Sequence, residues 1–338
     1  VNILEIKELL QQKEYEFLLT NEHLKDKIIL LTLGGSYAYG TNVETSDVDI
    51  RGIALNSESD LIGLTSFEQV VNEATDTTIY SFNKIIQLLI NCNPNTIEIL
   101  GCKPEHYFQL SYQGNLLIEN SSLFLSKRAV RSFGGYANQQ LRRLQNAVAR
   151  DKLIQPEKEE HIRRSMIQGI ESFKDTYSKY SGKGIELFLD DGSTEDLEKE
   201  IFANIDLQHY PVRKFTQLIN NIKHIVDVYE KLNKRNRKKD DAHLNKHAMH
   251  LIRLYHMAFD ILEKKQIITY REDDHDFLMN IRNGLFQNSD GTYKQDFFDI
   301  VTNYEERLKY ARNHTDLPEH PDIKRIEELV MKVNRSVL

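Results

Sequence analysis

Asp47 and Asp49 stand one residue apart, and ten residues separate them from a Gly34-Gly35-Ser36 triplet, within LGGSYAYGTNVETSDVDIRGIAL at 33–55. On an extended chain, side chains at i and i+2 project to the same face. Two carboxylates on one face repel each other unless a cation lies between them. A pair of Mg²⁺ or Mn²⁺ ions arriving with a nucleoside triphosphate meets that demand, activating an attacking oxygen and neutralising the departing pyrophosphate. Glycines at a strand-to-helix junction let the backbone approach an anion, so Gly35 and Ser36 are candidate phosphate contacts. Ser36 adds a hydroxyl donor and is a candidate helix cap. Taken singly, Gly-Gly-Ser is more often an ordinary turn and Asp-x-Asp more often a solvated strand face. Linked at this spacing they form a far more specific constellation. Arg51, two residues past Asp49, shares the carboxylate face, either as the partner of an ion pair or as a phosphate contact.

The elements that must position these residues are legible around them. The apolar run KIILLTL at 27–33 reads as a buried strand ending at the glycines, and DVDIRGIAL at 47–55 as a second strand carrying both aspartates. Short strands are expected at 69–72 and 76–80, then a helix at 81–91 stopped by Asn93-Pro94. The opening 1–19 has apolar residues at helical spacing and reads as an amphipathic helix, not a targeting segment. Beyond about residue 104, helical periodicity dominates, most clearly at 126–150, 156–179, 211–234, 245–265 and 321–337, with a β-rich interlude at 185–190.

Composition limits the alternatives. With 338 residues the chain suits two domains, and 40% apolar with 28% charged residues reads as globular. A net charge of −7 excludes a uniformly basic nucleic-acid binder but not a local basic site. Cys92 and Cys102 lack metal or redox spacing and suggest a reducing, cytoplasmic setting. No apolar run approaches the length of a membrane span.

These motifs resemble the signature of the DNA polymerase β-like nucleotidyltransferases. More narrowly, the chain is similar to a bacterial and phage group of predicted nucleotidyltransferases, the RNA-repair-pathway DNA polymerase β family. The resemblance is carried by GSYAYGT at 35–41, SDVDIRG at 46–52, DTTIYSFNKIIQLLINCNPNTIEIL at 76–100, SFGGYANQQL at 132–141, NKHAMHLIRL at 245–254 and IRNG at 281–284. It departs at Tyr37, where His is more frequent. The resemblance implies an α+β fold: a small α/β catalytic domain with a mixed sheet at 1–103, and a larger, mostly helical domain at 104–338 completing the nucleotide and acceptor cleft. It also implies a third catalytic carboxylate. Asp76 is the favoured candidate and Glu73 the competitor. Asp47, Asp49 and Asp76 would then hold two metal ions, with Asp76 orienting or deprotonating the attacking hydroxyl.

The helical part offers a second set of candidates. Lys246, His250 and Arg253, at i, i+4 and i+7, form a cationic stripe suited to a triphosphate or a nucleic-acid backbone, or simply a solvated face. His243, His247 and His250 share the same spacing, but no carboxylate or cysteine at metal spacing supports zinc. Arg282 ends a helix and is a further candidate for the same cleft. The run KLNKRNRKK at 231–239 holds six basic residues in nine, and Lys234, Arg235, Arg237, Lys238 and Lys239 are candidate RNA contacts, or a solvated loop. The helix at 126–150 is also basic, through Lys127, Arg128, Arg131, Arg142, Arg143 and Arg150. The expected activity is transfer of a nucleoside monophosphate from an NTP to a hydroxyl, foremost an RNA 3′ end. The alternatives are AMP transfer to a protein, as in antitoxin-type relatives, and non-catalytic nucleotide binding.

Overall fold

The computed structural model describes residues 2–151, 177, 181–191, 199–236, 241–288 and 292–338. It divides into two compact units, one formed by 1–145 together with 241–338 and the other by 146–240. The boundary after residue 103 read from the sequence therefore lies inside the first unit.

The first unit is built on a five-stranded mixed sheet of order β3-β4-β2-β1-β5: β1 Ile28–Leu33, β2 Ile50–Ala54, β3 Gln69–Asn72, β4 Thr77–Ser81 and β5 Tyr107–Leu110. β1 runs antiparallel to β2 and β5, β2 parallel to β4, and β3 antiparallel to β4. All six residues of β1 are buried, so its sequence does not alternate: it is apolar except for Thr32, whose hydroxyl donates to His106 O at 3.1 Å. Each large aliphatic side chain hidden this way contributes roughly 1.5–3 kcal/mol. The cluster around it gathers Leu31, Leu33, Ile50 and Ile79 from the sheet with Ile6, Leu18 and Leu24 from the N-terminal segment. That segment is more broken than one amphipathic helix: an α-helix at Ile3–Leu9, a 3₁₀ turn at Lys13–Tyr15 and a single turn at Phe17–Thr20.

A short helix, Gly35–Tyr39, follows β1, and a longer one, Phe82–Ile90, follows β4 with Ser81 accepting from the Lys84 amide at 3.2 Å as its cap. Further helices run over Arg128–Asp151, Asp241–Phe259, His275–Arg282, Gln295–His314 and Ile323–Asn334. The 241–259 helix ends in a π turn at Asp260–Lys264. The stretch that follows is stitched to the sheet domain: the Thr269 amide donates to Gly101 O (3.1 Å) and the Arg271 amide to Tyr39 O (2.9 Å). Gly40, at φ +73°, ends the short helix in the left-handed region, and a Cβ there would sit 2.5 Å from the Tyr270 ring.

In the second unit, Ser181–Asp191 and Lys199–Gln208 form the antiparallel pair foreshadowed at 185–190, and Phe215–Asn236 is helical. Of the helix expected at 156–179, only Tyr177 lies among the described residues, and it is helical. No helix among the described residues is long and apolar enough to cross a membrane.

Candidate active site

The glycine pair and the aspartates meet at one end of the sheet. The β1–β2 ladder continues one step past the strands, with the Gly34 amide donating to Asp49 O at 2.8 Å. β2 begins at Ile50, so Asp47 and Asp49 precede the strand on which they were expected. Gly35 adopts φ +55°, and a Cβ placed on it would collide with Asp49 Oδ2 and lie 2.7 Å from Asp49 Cγ. A Cβ on Gly34 would lie 2.7 Å from Arg51 Cγ. The triplet thus needs glycine for a reason additional to phosphate approach: it makes room for Asp49 and Arg51. Ser36 does not cap the helix. Gly34 is the N-cap, without a side-chain bond, and Ser36 lies one residue inside.

Parallel pairing of β2 with β4 matches Ile50 to Thr77, which sets Asp76 beside Asp49. The Ile50 amide donates to Asp76 O at 3.2 Å. Asp76 holds φ +44°, a left-handed conformation uncommon outside glycine and least costly for Asp and Asn. Burial pushes the Asp49 carboxyl above the ordinary carboxylate range; the Arg51 ion pair opposes this, the Asp76 charge adds to it, and Lys246 opposes it. Asp47 and Asp76 are exposed, as is Glu73 on the 3₁₀ turn before Asp76. Arg51 binds the cluster together: Nη2 donates to Asp49 Oδ1 at 2.8 Å, and Nη1 donates to Asp76 O at 2.6 Å and Ile50 O at 2.9 Å. Of its two readings from the sequence, the ion pair is the one seen here.

Asp49 and Asp76 are hard oxygen donors that fit Mg²⁺ in kind, and the repulsion between them is what a cation would relieve. The described residues contain no group of three or more His, Cys, Asp or Glu side chains close enough to enclose an ion by themselves.

The cationic stripe divides in two. Lys246 is exposed, and its charge acts on Asp49. Arg253 departs from its expected place on a cleft face. It is 1% exposed, stacked 3.5 Å over the Tyr39 ring, with Nη1 3.7 Å from Glu98 Oε2 and Nη2 3.0 Å from His250 Nδ1. Glu98 also accepts from Tyr39 OH at 2.6 Å; burial pushes its carboxyl up, with Arg253 and then Tyr39 opposing. Arg253 is therefore an internal brace under the glycine helix, and half-buried His250 leans on it. The sequence signal for Glu98 was a lone carboxylate in a run otherwise poor in charge, 92–102. His247 Nδ1 is 2.9 Å from Gln140 Oε1, and no metal group forms with His243 among the described residues.

Arg282 approaches from the far end of the chain. Its Nη1 donates to Thr41 O at 2.6 Å and its Nη2 lies 3.5 Å from Ser46 Oγ, on the loop leading to Asp47. Among the described residues no carboxylate lies within ion-pair distance of it, and burial alone lowers its pKa. Of the basic run, Lys234 and Arg235 fall in the 215–236 helix of the second unit. Arg237, Lys238 and Lys239 lie outside the described residues.

A family model described as the RNA repair pathway DNA polymerase beta family matches residues 5–171. No match is found among curated proteins or among solved structures. Lys246, Arg253 and Arg282 lie beyond the matched stretch, whereas the glycine pair, the dyad, Arg51 and Asp76 lie within it. Over residues 5–171 the chain is similar to the RNA repair pathway DNA polymerase β family.

Proposed function

We propose that the protein is a metal-dependent nucleotidyltransferase that moves a nucleoside monophosphate from an NTP to the 3′ hydroxyl of an RNA. The family match over residues 5–171 supports the polymerase β-like class of chemistry. The observation that carries the reading is the side-by-side placement of Asp49 and Asp76 at the starts of two parallel strands, against the Gly35 turn.

Bound divalent ions, two in this reading, would supply charge neutralisation at the phosphates and make the acceptor oxygen more nucleophilic. Asp47 and Asp49 would hold them together with the triphosphate, and Asp76 would add the carboxylate nearest the acceptor. The acceptor oxygen forms a bond to the α-phosphorus as the bond to the β-phosphate oxygen breaks. Pyrophosphate leaves, and the hydroxyl proton passes to Asp76 or to water. Gly35 and Ser36 present backbone amides to phosphate oxygens, Lys246 and Arg282 add positive charge, and Arg51 fixes Asp49 in place. Arg253 acts through the frame and touches no substrate.

The test is transfer of label from each α-labelled NTP, with Mg²⁺ or Mn²⁺, to RNA or protein resolved on a gel. Asp49→Asn combined with Asp76→Asn should lower transfer by about 10²-fold or more with an unchanged circular-dichroism spectrum. Transfer retained at near wild-type rate would overturn the assignment. Label recovered in protein and not in RNA would replace the acceptor by a protein hydroxyl.

A further inference from the structure

The first unit contains a second concavity, of about 750 Å³, lined by Lys127, Arg128, Arg131, Tyr136, Arg312 and Glu319 among others. Its charge accounting is one-sided. Lys127 Nζ and Arg312 Nη2 share a single carboxylate, Glu319, at 3.2 and 3.3 Å. Arg128 is held by neutral acceptors only: His320 Nδ1 at 3.2 Å, Ile90 O at 3.1 Å and Asn91 Oδ1 at 3.2 Å. Arg131 is exposed, with no carboxylate within ion-pair distance among the described residues. Four permanent cations thus face one anion on a chain whose net charge is −7. Concentrating like charge in a concavity is unfavourable unless a polyanion binds there.

The cavity is also connected to the catalytic end. Arg131, Gly135, Tyr136 and Gln139 recur on one face of the 128–151 helix. Tyr136 is near enough to Tyr80 to add, after burial, to raising that phenol, and Tyr80 belongs to β4, the strand that starts next to Asp76. Four residues of strand span roughly 13 Å. At the other end, Gln140 follows Gln139 and contacts His247, the neighbour of Lys246.

We propose that this concavity binds the sugar–phosphate backbone of the acceptor RNA upstream of the 3′ end that reacts, as a site separate from the triphosphate. The proposal rests on the reading that the acceptor is RNA. Lys127, Arg131 and Arg312 contact phosphates, Tyr136 offers a ring for a base to stack on, and Arg128 holds the wall. Recognition is electrostatic and independent of base sequence. Gly135 leaves the floor open: a Cβ added to it meets nothing within 4 Å.

The experiment is fluorescence anisotropy of a labelled single-stranded oligoribonucleotide with the full chain, without NTP, across a salt series. Arg131→Gln with Arg312→Gln should weaken binding by about tenfold and reduce the salt slope by roughly 0.7 for each lost phosphate contact. Gly135→Leu, which fills open space and replaces a helical glycine, should weaken binding without lowering the unfolding temperature. Glu319→Gln removes the one opposing charge and should tighten binding several-fold, an outcome that misfolding cannot mimic. Unchanged affinity and salt slope in all three would overturn the proposal, as would label transfer confined to protein. Asp49→Asn with Asp76→Asn should not weaken RNA binding. A failure of the transfer chemistry therefore leaves this result standing, and a failure here leaves the transfer result standing.

Discussion

Arg271 and Arg282 are eleven residues apart in the sequence and live under opposite electrostatic regimes. Arg271 is 5% exposed and fully matched: Nη1 donates to Asp260 Oδ2 at 2.5 Å, Nε donates to Asp274 Oδ2 at 2.9 Å, and Nη2 also reaches Asp274. Lys264 joins Asp260 at 2.8 Å and His256 joins Asp274 at 3.0 Å, so a concavity of about 470 Å³ at this place is walled by charges that already satisfy one another. Arg282 is half-buried against a carbonyl and a hydroxyl, with desolvation uncompensated by any described carboxylate. A buried cation matched within the chain holds shape, and one left unmatched costs free energy that an incoming anion recovers. By this criterion Arg253 belongs with Arg271, whereas Arg282 belongs with the groups that await an anion.

The comparison is broken or sharpened by substitutions on either side of it. The largest effect is expected at the brace. Arg253→Met strands Glu98 in the interior and should cost about 3–5 kcal/mol in urea unfolding, with much of the loss recovered by adding Glu98→Gln. A stability change under about 0.5 kcal/mol would return Arg253 to the ligand side.

Next is Asp274→Asn. Burial alone would raise the Asp274 carboxyl, but the hydrogen bonds from His256 and Arg271 outweigh it and hold it well below the ordinary carboxylate range. A depressed carboxyl stabilises the fold above the unfolded-state value, near 3.9 for a free aspartate, and that stability is lost as pH falls through the folded value. The substitution should therefore cost about 2 kcal/mol near neutrality. The gap from the wild type should close progressively below about pH 4. A gap independent of pH would show that Asp274 is held by shape and not by charge.

The smallest effect should be the most selective. Arg282→Gln should change unfolding free energy by less than about 0.5 kcal/mol while raising the KM for NTP by about tenfold, or 1.4 kcal/mol. A variant that loses stability and keeps its KM would place Arg282 with the framework.

Much of this was legible before the fold was seen. KIILLTL reads as a buried strand, and Ile28–Leu33 is one, while DTTIYS carries β4 one residue later than expected. β5 escaped notice because YFQL is a short, half-buried edge strand between Pro104 and Ser111, with too few residues to show a period. Helical spacing placed Lys246 and Arg253 on one stripe. Spacing does not reveal that this stripe leaves open surface near Asp49 and passes, two turns later, beneath Tyr39. The pairing of Asp49 with Asp76 followed from register, which one sequence without its partner strand does not display.

The Arg282–Thr41 bond closes a loop of 241 residues, and the Thr269–Glu98 bond one of 171. A ribosome moving at typical speed needs on the order of ten seconds to travel from Glu98 to Arg282. For most of that interval Tyr39 and Glu98 lack the arginine that braces them, and throughout it the loop leading to Asp47 lacks Arg282. The candidate site is thus assembled late: the family-matched stretch leaves the exit tunnel early, yet its frame is completed only when residues 241–338 arrive. A translation product halted at residue 240 would carry every acidic residue of the candidate site without the segment that braces it.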